Sequence, residues 1–331
     1  MIRVGVVGTG SLGFHHARIL RDVGGVTMSG IFEAREDRAR EVSEELGIRA
    51  WDSLDALLSD SDAVVVAVPT VSHESVATEA LKRGVHVLIE KPMAASLDEA
   101  DRILDAAEPT GCVVQIGHVE RFNQAIRAAE PHLDRPLFIE SHRMAPFSPR
   151  STDVAVVLVL MIHDVDLVQS LVGRPITEIA ASGMPVLTPT IDIANARITF
   201  EGGAVANLTA SRVSLEKMRK LRIFQPSGYL SLDLAGGTGE FLRLKQDLPL
   251  FSPDAELPAF PPEGGLAALV ERVPLKGDGA EPLRKELENF RDAITGAGAP
   301  AVSGHQGRRA LEVTLSIEER IRSHVAHTNP A

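Results

Sequence analysis

Cysteine, tryptophan and tyrosine each occur once in these 331 residues. A lone Cys112 leaves no intramolecular disulfide and no Cys-x-x-Cys pair, which excludes thiol relays and cysteine-built zinc sites. It opens the apolar run Cys112 to Ile116 and is expected to be a buried, inert thiol in a reducing compartment. Basic charge is scarce as well. Lys and Arg number 34 against 45 Asp and Glu, a net charge of -11, so no surplus exists to neutralise phosphates, and neither nucleic acid nor an anionic membrane is an expected partner. Long apolar runs are missing too: Val154 to Ile162, bounded by Asp153 and His163-Asp164, is too short to span a bilayer and reads as a buried segment. The chain enters a strand pattern at Ile2 with no charged region, apolar core and cleavage site of a leader, so a cytoplasmic setting is expected. No Gly-x-Ser-x-Gly elbow and no internal repeat is found. The adjacent His15 and His16 fall in the first helix, where neighbours point about 100 degrees apart, so no metal site is expected.

What is present begins at once. The apolar run Ile2 to Val7 leads into Gly8-Thr9-Gly10-Ser11-Leu12-Gly13 and then a helix over Phe14 to Val23. Gly8 permits a tight turn, Gly10 lets the backbone approach a pyrophosphate, and Gly13 lets helix and strand pack closely, with free amides at the helix N-terminus facing the anion. Val26 to Phe32 reads as a second buried strand ending at Glu33, whose carboxylate suits the ribose hydroxyls of NAD and repels a 2'-phosphate. Arg35 works the other way, since a guanidinium accommodates that phosphate, and NADP stands second to NAD.

Ala63 to Val68, Val85 to Ile89 and Cys112 to Ile116 continue the alternation of short strands with helices, which predicts an α/β Rossmann domain over 1–120 with a doubly wound parallel sheet. Ligands in such a sheet sit beyond the carboxyl ends of the strands, at Gly8 to Gly13, Glu33, Pro69 to His73, Glu90-Lys91-Pro92 and Gly117 to Asn123. Lys91 presents an ammonium there, and the proline after it restricts its backbone to extended geometry.

From 121 to 331 the pattern changes to an α+β domain. A helix over Gln124 to Glu130, a strand over Leu137 to Arg143 and a helix over Val154 to Leu171 precede six strands, Ile176 to Val186 through Glu240 to Leu244. Close spacing through Glu201-Gly202-Gly203 and Pro226-Ser227-Gly228 indicates hairpins, hence a large, mostly antiparallel open sheet. Pro253 to Pro282 reads as a long irregular loop. Helices over Glu281 to Ile294 and Gln306 to Ser323 follow, the last of them able to pack back on the first domain.

These motifs together resemble the Gfo/Idh/MocA oxidoreductases: GTGSLG at the start, His73 opening a helix after Val68-Pro69-Thr70, EKP at Glu90 to Pro92, and two domains. IGHVERFN at Ile116 to Asn123, LMIHDVDL at Leu160 to Leu167, RKLRIFQPSGYLSLD at Arg219 to Asp233, and VSG followed by GRRALE at Val302 to Glu312 are similar to the branch that acts on UDP-N-acetylglucosamine. The resemblance implies NAD-dependent oxidation of a sugar hydroxyl to a ketone, most specifically the 3-hydroxyl of that nucleotide sugar, in an amino-sugar pathway toward surface glycolipid (lipopolysaccharide). It also implies a homodimer or homotetramer.

The residues carried over are Lys91 and His163 as the catalytic pair near the reacting carbinol. His163 suits the general base because an imidazole titrates near neutrality, while Lys91 polarises the oxygen; a neutral Lys91 as base is the reverse assignment, and the sequence leaves both open. Expected cofactor contacts are Gly8, Thr9, Gly10, Ser11, Leu12, Gly13, Glu33, Arg35, Pro69, Thr70, His73, Glu90, Lys91 and Pro92. Expected substrate contacts are Lys91, His118, Arg121, Asn123, Arg143, Arg150, His163 and Arg222, with the guanidinium groups suited to a diphosphate. Alternation along one strand sends Lys220 and Arg222 to one face and Arg219 to the other. One departure stands out: the family places an aspartate four residues before the histidine, and this chain has Val159. A dehydrogenase of a free polyol or inositol, needing no diphosphate site, and a dinucleotide-binding sensor without turnover are the rival readings.

Overall fold

The computed structural model describes residues 1–149, 152–245 and 269–328. It divides into two compact units, one of Met1–Phe122 with Ala280–Leu315 and one of Asn123–Gly279 with Ser316–Ala331.

In the first unit, short β-branched runs alternate with helices: β1 (Ile2–Val7), α1 (Ser11–Leu20), β2 (Val26–Phe32), α2 (Glu36–Leu46), α3 (Leu54–Ser59), β3 (Ala63–Val66), α4 (His73–Lys82), β4 (His86–Glu90), α5 (Leu97–Ala107) and β5 (Val114–Gly117). The strands pair in parallel in the order β2-β1-β3-β4-β5. Helices cover both faces, which is why the β3 strand AVVV is apolar at every position and wholly buried. The order reverses between β1 and β3, and the crevice at that reversal lies at the carboxyl ends of the strands. Cys112, expected in the core, is half-buried in the approach to β5.

The second unit contains α6 (Gln124–Ala129), β6 (Phe138–Met144), α7 (Ile162–Val172), β7 (Ile176–Met184), β8 (Ile193–Phe200), β9 (Val205–Ser211), β10 (Met218–Gln225), β11 (Gly228–Asp233), β12 (Thr238–Leu244) and β13 (Val270–Lys276). They form one eight-stranded sheet, order β13-β12-β11-β10-β6-β9-β8-β7, antiparallel except where β6 meets β9. Period-two alternation divides its faces. Ile139, Ser141 and Arg143 of β6 lie opposite Ile223, Leu221 and Arg219 of β10 on the covered face, while Phe138, Glu140 and His142 lie opposite Phe224, Arg222 and Lys220 on the open one.

Two expectations change here. Residues 270–276 were to be part of an irregular loop, yet they form β13; its Pro274 sits opposite Glu240 on the outermost strand, where a residue lacking an N–H is tolerated. Positions 246–268 of that loop lie outside the described residues. The continuous helix over Val154 to Leu171 is instead a π-helical turn, Val157–Met161, followed by α7.

The chain ends with α8 (Pro282–Ile294) and α9 (Gly304–Thr328). Leu283, Leu287 and Phe290 of α8 recur at helical spacing and enter the core around Leu20, Val23 and Leu46, so it is α8 and the first part of α9 that return to the first unit. Each such side chain contributes about 1.5–3 kcal/mol of burial. Among the described residues, no helix is long and apolar enough to cross a membrane.

Candidate active site

The turn after β1 is shaped for an anion. Gly8 adopts φ +84°, and a Cβ on Gly13 would stand 1.9 Å from the Gly8 carbonyl oxygen, so both positions demand glycine. Gly10 is different: a Cβ there meets nothing within 4 Å, leaving its backbone open to a ligand. Gly10 is also the N-cap of α1, with no side-chain cap and no acidic residue in the first turn, so the amide ends of Ser11, Leu12 and Gly13 keep their positive potential. Beside this turn lies a cavity of about 530 Å³ lined by Gly8, Gly10, Glu33, Arg35 and Pro69 together with Ala34, Ser72, Ser75 and Val76. The open Gly10 and the uncapped helix end fit the pyrophosphate of a dinucleotide, and the cavity wall carries a carboxylate suited to its ribose.

That carboxylate, Glu33, directly follows strand β2. Its Oε2 accepts the Thr9 N–H at 2.8 Å and the Thr9 hydroxyl at 3.3 Å, and its Oε1 accepts the Arg35 N–H at 3.3 Å and Nε at 3.2 Å. Burial works to raise its pKa, but the two backbone donors and the Arg35 guanidinium outweigh burial and hold the carboxyl below its usual range. Thr9 is thus committed to Glu33 rather than facing the cavity. Ser11 and Leu12 are exposed in the first turn of α1, and Thr70 lies in the 3₁₀ turn Thr70–Ser72 beyond Pro69.

At the next strand end, Lys91 is half-buried and joined to Pro92 by a cis peptide bond. His73 and Glu90, both expected at the cofactor, make hydrogen bonds within the fold. The His73 ring is buried, with Nδ1 2.9 Å from the Pro92 carbonyl and Nε2 2.9 Å from the Val68 carbonyl, so it ties the two loops together. Burial lowers its pKa against the raising effect of those carbonyls. The Glu90 carboxylate points into the core at His16. His118 is buried and Arg121 half-buried in the turn following β5.

In the second unit, His163 is the second residue of α7 and is half-buried. The π-helical turn ahead of it, a feature frequent at functional sites, contains Val159. Asp192 anchors that entry. Its Oδ2 accepts three amides, Val186, Leu187 and Thr188, at 2.7–2.8 Å, and its Oδ1 accepts Arg212 Nε at 2.7 Å. Arg212 reaches on to the Val154 carbonyl at 2.6 Å, and Thr190 Oγ1 donates to the Thr152 carbonyl at 3.0 Å. Although burial opposes it, this donor set holds Asp192 far below its ordinary pKa.

Within the second unit, Arg143 and Arg222 lie on opposite faces of the sheet. Arg143, buried on the covered face, grips Asp164 in a two-pronged pair, Nε to Oδ2 at 2.8 Å and Nη2 to Oδ1 at 2.9 Å. Each oxygen of Asp164 thus accepts one guanidinium N–H. Arg222 lies on the open face of the sheet, 3.6 Å from Glu140, opposite to the face on which Arg143 meets α7. The alternation along β10 turns it away from the face that carries Arg219 and Arg143. Arg219 shares the covered face with Arg143, as the alternation predicts. Asn123 caps α6 through the Ala125 N–H at 3.0 Å and donates to the Leu234 carbonyl at 2.9 Å, a tie within the fold. Arg150 lies outside the described residues.

The sequence did not single out Ser75, Asp192, Arg212 or Glu286. Only Glu286 left a trace, as an acid on the apolar stripe of α8 between Leu283 and Leu287.

Residues 2–118 match the model of an oxidoreductase family with an NAD-binding Rossmann fold, GFO_IDH_MocA, and residues 121–231 match the GFO/IDH/MocA C-terminal domain. The chain is 36% identical over 324 residues to a UDP-N-acetylglucosamine 3-dehydrogenase of Acidithiobacillus ferrooxidans, covering 97% of this chain and 98% of that one. A solved structure of that enzyme from Acidithiobacillus ferrooxidans superposes with a TM-score of 0.87 at 35% identity, covering 97% of this chain and 98% of the other. A scyllo-inositol 2-dehydrogenase (NAD(+)) of Bacillus subtilis is 28% identical over 232 residues, 64% of this chain and 68% of that one.

Proposed function

Because this chain belongs to the Gfo/Idh/MocA oxidoreductase family, we propose that it oxidises the 3-hydroxyl of UDP-N-acetylglucosamine to a ketone with NAD. The observation that carries this reading is the similarity to a UDP-N-acetylglucosamine 3-dehydrogenase along 97% of the chain, through both units. Glu33 supports NAD over NADP, since its carboxylate lines the cavity and repels a 2'-phosphate. NAD when bound supplies the hydride acceptor. In this reading the His163 imidazole takes the proton of the reacting hydroxyl as the C–H electron pair departs, and the Lys91 ammonium donates a hydrogen bond to the same oxygen as it becomes a carbonyl. Ser11, Leu12 and Gly13 present amides to the pyrophosphate at the start of α1. The reading includes a cytoplasmic homo-oligomer that feeds synthesis of a surface glycolipid.

A second reading, a free-polyol dehydrogenase, is favoured by the engagement of Arg143 with Asp164 and the position of Arg222 on the open face, which weaken the diphosphate site. Incubation with NAD and UDP-N-acetylglucosamine, quenched with borodeuteride, distinguishes the two. Deuterium at C3 of the sugar supports the proposal; reduction of NAD by inositols alone overturns it.

A further inference from the structure

His163 directly precedes a buried ion pair and follows closely on a turn whose winding is not the ordinary one. In the turn Val157–Met161 the Ile162 N–H donates to the Val157 carbonyl, a longer step than the one that closes an α-turn. Such a turn is an α-turn with one residue added, and rewinding it to the α spacing would rotate all that follows by about 100°, one residue's step around a helix. Two windings thus compete within the helix, and a contact from outside it has to choose between them. The chain ahead of the turn is held in place: the Val156 N–H donates to the Ile191 carbonyl at 2.9 Å, Arg212 Nη1 to the Val154 carbonyl at 2.6 Å, and the Thr190 hydroxyl to the Thr152 carbonyl at 3.0 Å.

The chain after the turn is held by Arg143 and Asp164, each 2% exposed. Arg143 belongs to β6, which is paired with β10 on one side and β9 on the other, so its guanidinium is carried by an interior strand of the sheet. It meets Asp164 through two bonds, Nε to Oδ2 at 2.8 Å and Nη2 to Oδ1 at 2.9 Å, a planar fork that fixes orientation as well as distance. Asp164 comes straight after His163 in α7, and neighbours on a helix keep a constant angle, so fixing one fixes the direction in which the other leaves the helix. As a source of stability the pair is a poor choice, because apolar side chains of similar volume are often as good or better in place of a buried ion pair. What an apolar contact lacks is direction.

We propose that Arg143 is a positioning residue for the redox site: through Asp164 it selects the winding of the Val157–Met161 turn and so aims the His163 imidazole. This rests on the reading of His163 as the group that takes the hydroxyl proton. It gives Arg143 a task different from the substrate contact expected of it from the sequence.

The deciding variant is the double replacement Arg143→Met with Asp164→Leu in the full-length protein, which keeps apolar volume in the core and removes the fork. Urea unfolding reads its stability, and steady-state rates read kcat and KM. Magnetic resonance of isotope-labelled histidine side chains, with the His163 signals identified by their loss in His163→Ala, reads the surroundings of the ring without turnover. Stability close to wild type is expected together with a kcat lowered about ten- to hundredfold, the scale of a misplacement of about 1 Å, an unchanged NAD dissociation constant, and His163 signals that are shifted or doubled. Arg143→Lys, which keeps the charge without the fork, is expected to move the same signals. Wild-type kcat in the folded double variant, or His163 signals that stay where they are, overturns the proposal. So does a raised KM for the nucleotide sugar with kcat and the His163 signals unchanged, which would mean that Arg143 meets the substrate directly. Should the double variant fail to fold, the kcat and the His163 signals of Arg143→Lys decide. The resonance measurement needs no turnover, so a wild-type protein that reduces no NAD with any sugar defeats the functional reading separately.

Discussion

A single methyl group separates the two jobs done by the glycines after β1. At Gly10 the added Cβ meets no protein atom within 4 Å, and φ is -61°, so the folded chain accepts alanine. Loss of glycine at a helix N-cap costs a few tenths to ~1 kcal/mol, and the stiffer unfolded chain returns about 0.4–1 kcal/mol, leaving a net change near zero. The melting temperature of cofactor-free Gly10→Ala should therefore move by less than about 3 °C. The same methyl group occupies the space through which a pyrophosphate approaches the α1 amides. Losing one charge-assisted hydrogen bond of ~1.5–3 kcal/mol weakens NAD by about ten- to hundredfold. Gly13→Ala behaves otherwise: its Cβ would stand 1.9 Å from the Gly8 oxygen, a backbone atom, and the forced shift costs about 1–3 kcal/mol of stability before any ligand is added. Calorimetric titration with NAD and thermal unfolding of both variants read the two effects apart. A Gly10→Ala protein that binds NAD like wild type would refute the dinucleotide turn.

Glu33→Ala removes the carboxylate from the cavity and releases Arg35, so the ratio of kcat/KM for NAD over NADP should fall by about tenfold or more; an unchanged ratio would mean that Glu33 does not discriminate. Asp164→Asn removes the carboxylate charge paired with the buried Arg143 and should cost about 3–5 kcal/mol in urea unfolding, whereas the double replacement Arg143→Met with Asp164→Leu should recover much of it, and a simple sum of the two single losses would contradict this. Asp192 is held below its unfolded value of 3.8, so its contribution is fully present above that pH and fades as the pH falls through the folded value. Urea midpoints taken between pH 7 and about pH 3 should therefore drop less steeply in Asp192→Asn than in wild type, and parallel curves would count against the anchor. Val159→Asp should raise kcat if the missing carboxylate limits proton removal by His163; steady-state rates equal to wild type would show that another group fills the role.

The Rossmann half was legible because its signals are local. Parallel strands buried on both faces leave uninterrupted apolar runs, and each glycine in the turn answers a steric demand within a few residues of itself. The open sheet was legible from period two, which also placed Lys220 with Arg222 and against Arg219. What stayed hidden depends on partners far along the chain. Arg143 pairs with Asp164 from 21 residues away, Asn123 reaches the Leu234 carbonyl across 111 residues, and Glu90 faces His16 from 74 residues away. The β13 strand was masked by Pro274, whose meaning depends on being at the sheet edge, a property of topology and not of local sequence. The π-helical turn before α7 left no mark in an apolar run that also fits an α-helix.

The most direct measurement is the appearance of reduced nicotinamide when the purified protein meets NAD with UDP-N-acetylglucosamine, and separately with scyllo- and myo-inositol. Turnover with the nucleotide sugar, abolished in both Lys91→Met and His163→Ala while NAD still binds, is the expected result. Turnover with the inositols alone, or undiminished rates in either variant, would contradict it.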